Sequence, residues 1–354
     1  MTNEELQSRT IDFLRFPLIV GVVLIHSHFS EVIINGVDVL HGYSFPIYDT
    51  ISYLLSDFIA SIAVPLFFFI SGFLLFYRSE RFSLSVYMHK LKSRGRSILI
   101  PYLFWNLVVI FLFFLVQSLI PGLTSSANKL IRDYSLTDWL AAFWDPICYQ
   151  FWFLRDLIIM ILISPLIYIL VKYLRWFSVL ALGVLWYFNW WFSLPGFSIT
   201  AFFFFSAGAC FSIRNCNFVT LLKPCLFPSA VLYSLLAVTC IYFKEQPWIN
   251  FVHSLSILTG IILAVSLSAH FIKLGKWSVN TFLTGGTFFI YAFHGMPLAL
   301  ILKFTIKHLP ISNDVIFLSI YFLSAGFIIL VSLGIYCLLK KWFPRFLSIV
   351  TGGR

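Results

Sequence analysis

Charge is what this sequence has least of. Asp, Glu, Lys and Arg together make up 11% of its 354 residues, while 60% are hydrophobic. A water-soluble domain carries about 25% charged residues, so there is too little polar surface here to cover a soluble globule. Acidic residues are scarcest, 14 against 24 Lys plus Arg. The resulting +10 charge is read as basic residues marking the cytoplasmic loops of a membrane protein, not as a nucleic-acid surface. Cysteine is also sparse. The six present (Cys148, Cys210, Cys216, Cys225, Cys240, Cys337) show no C-x-x-C or other metal-ligand spacing, which leaves them as small apolar residues and excludes a disulfide or zinc framework. No internal repeat or low-complexity tract is visible. The polar start MTNEELQSRT lacks a basic segment, and the first apolar run carries Arg15 and Pro17, so a retained first span is expected in place of a cleaved signal peptide.

What is present is a series of apolar runs, each near the ~20 residues that a membrane-crossing helix needs. Ten are expected, at 11–29, 50–77, 98–120, 151–171, 176–192, 198–213, 225–243, 250–272, 279–302 and 313–339. The second is over-long, which predicts a span that is tilted or kinked at Pro65. The fold class is therefore all-α, a polytopic bundle forming one membrane domain over residues 1–354. Ten spans put both termini on one side. With that side cytoplasmic, the inner loops and tail hold most of the basic residues, including Arg78, Arg81, Lys90, Lys92, Lys172, Arg175, Lys340 and Arg354. The outer loops hold only Lys129, Arg132, Lys244, Lys303 and Lys307, a bias that predicts an N-in, C-in topology. Between spans, residues 78–97 form a basic, partly helical cytoplasmic loop, and 121–149 the largest outer-face segment, in which SLTDWLAAFWD opens as a capped helix.

Polar groups at membrane depth are costly and face a wet or polar interior. Arg15 and His26 are eleven residues apart. At ~100° per residue this returns the helix to nearly the same face, with ~16 Å of rise between them. Asp12, one turn earlier, can pair with Arg15. A cation at the inner mouth and an imidazole deeper in suit a ligand with an anionic head and a thin reactive arm. Arg15 as a snorkelling end residue, and His26 as a hydrogen-bonding partner for a neighbouring helix, are the structural alternatives. Arg155 and Asp156, with Trp152 beside them, either form an interfacial ion pair in an aromatic belt or line the outer half of the same cavity. Arg94 and Arg96 either anchor a span or clamp phosphates. His294, at expected mid-span in FFIYAFHGMP, is a further candidate for a functional polar group. His28 points to another face than His26, His41 and His89 fall in loops, and His253, His270 and His308 lie near span ends.

Six of these stretches, in order, resemble the acyltransferase-3 family of integral membrane O-acyltransferases, from residue 9 to at least 297. RTIDFLRFPLIVGVVLIHSHF resembles the family's first helix, with its arginine, ten intervening residues and histidine at Arg15 and His26. VPLFFFISGFLLF resembles its second helix and SRGRSILIPYLFWN its basic segment before the third. FWFLRDLIIMILISPLI, FFFFSAGACFSI and FFIYAFHGMP resemble later signatures. Many members carry two arginines three apart before the third helix. Here Ser97 stands three after Arg94, and the second arginine is Arg96. The hydrolase-like extension of some members is not expected, since the chain ends soon after the tenth span.

The resemblance implies transfer of an acyl group, commonly acetyl, from cytoplasmic acyl-CoA to a hydroxyl of a surface glycan or its lipid-linked precursor, in a multi-pass protein of the plasma (inner) membrane. Acyl-CoA is then a co-substrate, with no bound cofactor. Catalytic roles fall to His26, Arg15 and Arg155, and substrate contacts to Arg94, Arg96, Asp12, Asp156, Trp152 and His294. His26 acts as general base or as an acyl-accepting nucleophile. The rival reading is a transporter or flippase for a polar or lipid-linked solute, for which intramembrane Arg, His and Asp are equally expected but for which no matching pair of broken helices is visible.

Overall fold

The computed structural model describes residues 1–29, 33–34, 37–38, 44–78, 82–119, 129–192, 194–309 and 313–353. His41, Arg81, Arg354 and residues 121–128 of the expected outer segment lie outside them. The described chain is helical apart from one short antiparallel ladder that pairs Ile33 with Asp38 and Ile34 with Val37.

Six helices are long and apolar enough to cross a membrane: α1 (Asn3–Ser27), α2 (Pro46–Phe76), α3 (Leu84–Leu119), α9 (Phe218–Tyr242), α10 (Ile249–Lys273) and α13 (Asp314–Trp342). Two more pass as bent pairs, α5 (Tyr149–Leu162) with α6 (Ser164–Leu174) and α11 (Thr281–Phe293) with α12 (Gly295–His308), bent by 64° and 65°. Two shorter apolar helices, α7 (Trp176–Tyr187) and α8 (Ile199–Ile213), complete the bundle, with α4 (Leu136–Trp144) and α14 (Pro344–Thr351) outside the spans. The expectation of ten counted α7 and α8 as full crossings. By length and apolarity the described residues give six, or eight with each bent pair as one span. Large apolar side chains such as Phe177, Phe227, Tyr242 and Leu330 are exposed around the outside. That is the surface expected where lipid is the solvent, and the protein is a multi-pass membrane protein.

The two bends have sequence causes. A proline lacks the N–H for the helical bond to the carbonyl four residues earlier, and its ring crowds that carbonyl. Pro165 does this to Ile161 and Pro297 to Phe293, and α5 and α11 end within two residues of those positions. The ninth expected span is thus two helices meeting at His294. In α2 the irregularity lies just N-terminal to Pro65. A π-helical turn (Tyr53–Ile59) and a 3-10 turn (Ala60–Ile62) precede a regular α-helix starting at Ala63. The 3-10 turn holds Ser61, four residues before Pro65, whose carbonyl the proline cannot bond. The basic loop expected at 78–97 is helical from Leu84 and forms the first part of α3, which carries a π-helical turn at Gly95–Leu99.

At the centre α8 is buried on nearly all sides and packs against the second half of α2. A Cβ on Gly72 would lie 2.0 Å from the Phe205 carbonyl oxygen, and one on Gly208 would lie 1.9 Å from that of Phe69. The two backbones are in direct contact there, as glycine permits between membrane helices. The outer helix α4 starts at the capping box that the sequence predicts, Ser135 with Asp138. Its far end is tied down by Tyr102, whose hydroxyl donates to the Phe143 carbonyl. The tail after α13 is also ordered. α14 returns to α3, where the Trp105 indole N–H donates to the Val350 carbonyl at 3.0 Å.

Candidate active site

One face of α1 forms the wall of a cavity of about 450 Å³. The lining residues on that helix are Asp12, Arg15, Ile19, Val22 and His26, steps of three and four that trace a single stripe along α1. The alignment of Arg15 with His26 inferred from their spacing is therefore an alignment into one cavity. The opposite walls come from the second half of α2, from Arg94 and Ile98 of α3, from α5 and from α11. Apolar side chains such as Phe67, Leu157 and Phe288 make up much of the rest of the wall.

The Arg15 end is cationic. Arg15 pairs with Asp12 at 3.1 Å, as their i,i+3 spacing predicts. Arg94 lines the same cavity and makes no ion pair among the described residues. Two guanidinium groups against one carboxylate leave a net positive end, suited to an anion. Thr284 of α11 donates to the Asp12 carbonyl at 3.3 Å and closes the wall there. Arg96 is exposed and does not line the cavity. Positions two apart on a helix are turned ~200° from each other, so Arg94 and Arg96 do not both face inward.

The His26 end is aromatic. The His26 ring lies 4.5 Å from that of Tyr149, tilted by 58°, and 5.3 Å from that of His294, with planes 24° apart. Trp152 and Gln150 line the cavity beside it. Gln150 is buried and is held through both its backbone and its side chain. Its carbonyl accepts from the Tyr291 hydroxyl at 2.6 Å, and its amide oxygen accepts from the Cys148 thiol at 2.9 Å. Gly295, at the α11–α12 bend, allows this, because a Cβ there would fall 2.1 Å from the Gln150 Oε1.

His294 is fully buried at the same bend and is not on the cavity wall. Its Nδ1 lies 3.0 Å from the Ile290 carbonyl and 2.9 Å from that of Tyr291. Carbonyls only accept, so the proton is on Nδ1 and Nε2 is a bare acceptor. Nε2 has no partner among the described residues. A buried acceptor left unpaired costs about 1–3 kcal/mol.

Arg155 and Asp156 are not cavity residues. Arg155 is turned to the α4 end of the segment, where its Nε donates to Asp156 at 3.0 Å and its terminal nitrogen to the Trp144 carbonyl at 3.1 Å and to Asp145 at 3.2 Å. The expectation that this pair lines the outer half of the cavity is corrected, and the ion-pair alternative describes what is found. The reason is that the Asp156 and Asp145 carboxylates and the Trp144 carbonyl already take up the Arg155 guanidinium away from the cavity. His28 does face away from the cavity, toward Asp57 at 3.1 Å. Sequence reasoning missed Tyr149, Gln150 and Tyr291. The only available signal was their position beside the FWFLRDL and FFIYAFHGMP stretches.

The acyltransferase domain family model matches residues 9–337. The chain belongs to this acyltransferase family. Within the family it is 27% identical over 369 aligned positions to the succinoglycan biosynthesis protein ExoH of Rhizobium meliloti (strain 1021), an alignment covering 98% of this chain and 92% of ExoH. No solved structure matches it. As a member it is a membrane acyltransferase, and Arg15 and His26 of its first helix both line the cavity.

Proposed function

We propose that the protein moves an acyl group, acetyl in the first instance, from acyl-CoA to a hydroxyl of a surface polysaccharide or its lipid-linked precursor. The observation that carries this reading is the single cavity with Arg15 and Arg94 at one end and His26 at the other. A CoA thioester has that shape in chemical terms, with phosphates at one end and the reactive carbonyl at the end of a thin arm. The basic loop bias supports setting the Arg15 end at the cytoplasm, where acyl-CoA is found, with the plasma membrane as the site of action. The relationship to a succinoglycan biosynthesis protein supports a polysaccharide acceptor.

In this mechanism Arg15, oriented by Asp12, and Arg94 hold the phosphates by charged hydrogen bonds. Arg96 lies outside the site. The acceptor hydroxyl arrives at the His26 end, against Trp152. His26 takes the hydroxyl proton as oxygen attacks the thioester carbon. The tetrahedral intermediate then expels the CoA thiolate, which takes the proton back from His26, leaving an ester and free CoA. A two-step variant, in which His26 itself carries the acyl group as an acyl-imidazole, uses the same residues. Arg155 and Asp156 act at a distance by tying the start of α5, and with it Trp152, to the end of α4.

The test compares ester content of surface polysaccharide in cells that carry the native gene, no gene, or His26→Ala. The native gene alone should give the ester. Equal ester with His26→Ala removes His26 from the chemistry. The two bent helix pairs favour a second reading, a solute transporter, since broken helices line transporter sites. Protection of the purified protein from heat by acetyl-CoA favours the enzyme, and no shift with acetyl-CoA or longer acyl-CoAs favours transport.

A further inference from the structure

The mechanism above leaves one buried nitrogen without a task. His294 Nδ1 is committed to two backbone carbonyls, so its Nε2 can only accept, and no described residue donates to it. Tyr291, the neighbouring tyrosine, has already given its hydroxyl proton to the Gln150 carbonyl. The neighbouring imidazole is that of His26, its ring centre 5.3 Å away and its plane 24° off. The two rings are not hydrogen-bonded as they stand, but at that separation a small turn of the His26 ring brings an N–H edge within hydrogen-bond reach of Nε2.

We propose that His294 is a positioning residue for His26, its Nε2 accepting a hydrogen bond from one ring N–H of His26. The inference rests on the reading in which His26 is the base or nucleophile. Its chemical content is the choice of tautomer. A neutral imidazole has one N–H and one bare nitrogen, and an N–H held by His294 leaves the bare nitrogen turned toward the cavity, where the acceptor's proton is taken. The same bond steadies the imidazolium formed during the reaction. His294 never meets the substrate. The α11–α12 bend serves this arrangement, since it is where the chain places a fully buried imidazole against the end of α1.

Two substitutions separate positioning from packing. In His294→Asn the short amide can still donate to the Ile290 and Tyr291 carbonyls but has no atom at the place of Nε2. In His294→Gln the longer amide can reach that place. Ester content of surface polysaccharide should fall at least tenfold in the Asn variant and recover to within a few-fold of native in the Gln variant. The second readout is the tautomer of His26, measured by 15N NMR of selectively labelled protein in nanodiscs. Native protein should show one tautomer with a hydrogen-bonded N–H, and the Asn variant a mixture. Native protein showing a tautomer mixture overturns the proposal, and so does an Asn variant with native ester content and a native His26 signal. Because the native spectrum needs no variant to fold and no acceptor to be known, it stands apart from the acyl-transfer reading. Loss of ester in His26→Ala with His294→Asn unaffected sinks only the present inference. Retention of ester in His26→Ala sinks the function.

Discussion

The His26 ring and the Tyr149 ring meet at 4.5 Å although they come from helices separated by most of the first half of the bundle. His26 therefore meets two rings, that of Tyr149 at the start of α5 and that of His294 at the α11–α12 bend. Loss of the Tyr149 ring should let the imidazole drift by the ångström or so that costs about 100-fold in a positioned site. Tyr149→Ala is expected to cut polysaccharide acylation at least tenfold. Tyr149→Phe, which keeps the ring, should stay within a few-fold of native, as measured by ester content at equal membrane expression.

Arg94 and Arg96 should differ sharply. Arg94 lines the cationic end of the cavity and Arg96 does not. A hydrogen bond to a charged group contributes about 1.5–3 kcal/mol, roughly ten-fold to a hundred-fold in affinity. Arg94→Ala should weaken acetyl-CoA binding by that factor in a thermal-shift titration, while Arg96→Ala should change it less than about two-fold.

Gly295→Ala tests the Gln150 contact. The added Cβ would fall 2.1 Å from the Gln150 amide oxygen, with the amide carbon and nitrogen each at 2.4 Å. Gln150 must then leave its place on the cavity wall. The variant should insert and fold, because the clash is with a side chain, yet lose most of its acylation. Native activity in Gly295→Ala would show that the position of Gln150 does not matter to the reaction.

The Gly72 and Gly208 contacts are with backbone and cannot yield in that way. Gly72→Ala or Gly208→Ala should push α2 and α8 apart and lower the unfolding midpoint in detergent. Overpacking typically costs ~1–3 kcal/mol, and backbone contact puts these two at or above the upper end. Gly334→Ala is the control. Nothing lies within 4 Å of a Cβ there, so its midpoint should be unchanged or slightly raised, by helix propensity.

On the outer helix, Lys129 and Ser135 both bond the Asp138 carboxylate, at 2.6 and 2.7 Å. The Lys129 ammonium, then the Ser135 groups, pull its pKa down from 3.8 to about 2. A depressed carboxylate stabilises the folded form at pH values above its unfolded pKa, and that contribution is lost as pH falls through the folded value. Amide exchange in residues 136–144 should therefore be slow and flat above about pH 4 and accelerate, beyond the intrinsic pH trend, between about 4 and 2. Asp138→Asn should show the fast pattern at every pH.

The sequence determined the membrane setting, the helical class, the family, and the stripe on α1. A stripe is a local property of helical repeat, so the spacing of Arg15 and His26 was enough to put them on one face. The Asp12–Arg15 pair and the Ser135 cap were legible for the same reason, since each involves residues within one turn. Both prolines that break α5–α6 and α11–α12 were visible, yet apolar length alone read each pair as one span. Only the tertiary structure decided what the stripe faces. It brought Arg94 in and left Arg96 out, and turned Arg155 to Trp144 and Asp145. It also brought the Tyr149 and His294 rings against His26. These are contacts between segments far apart in the chain. They are fixed by bends and by glycines that let backbones touch, and no helical period carries that information.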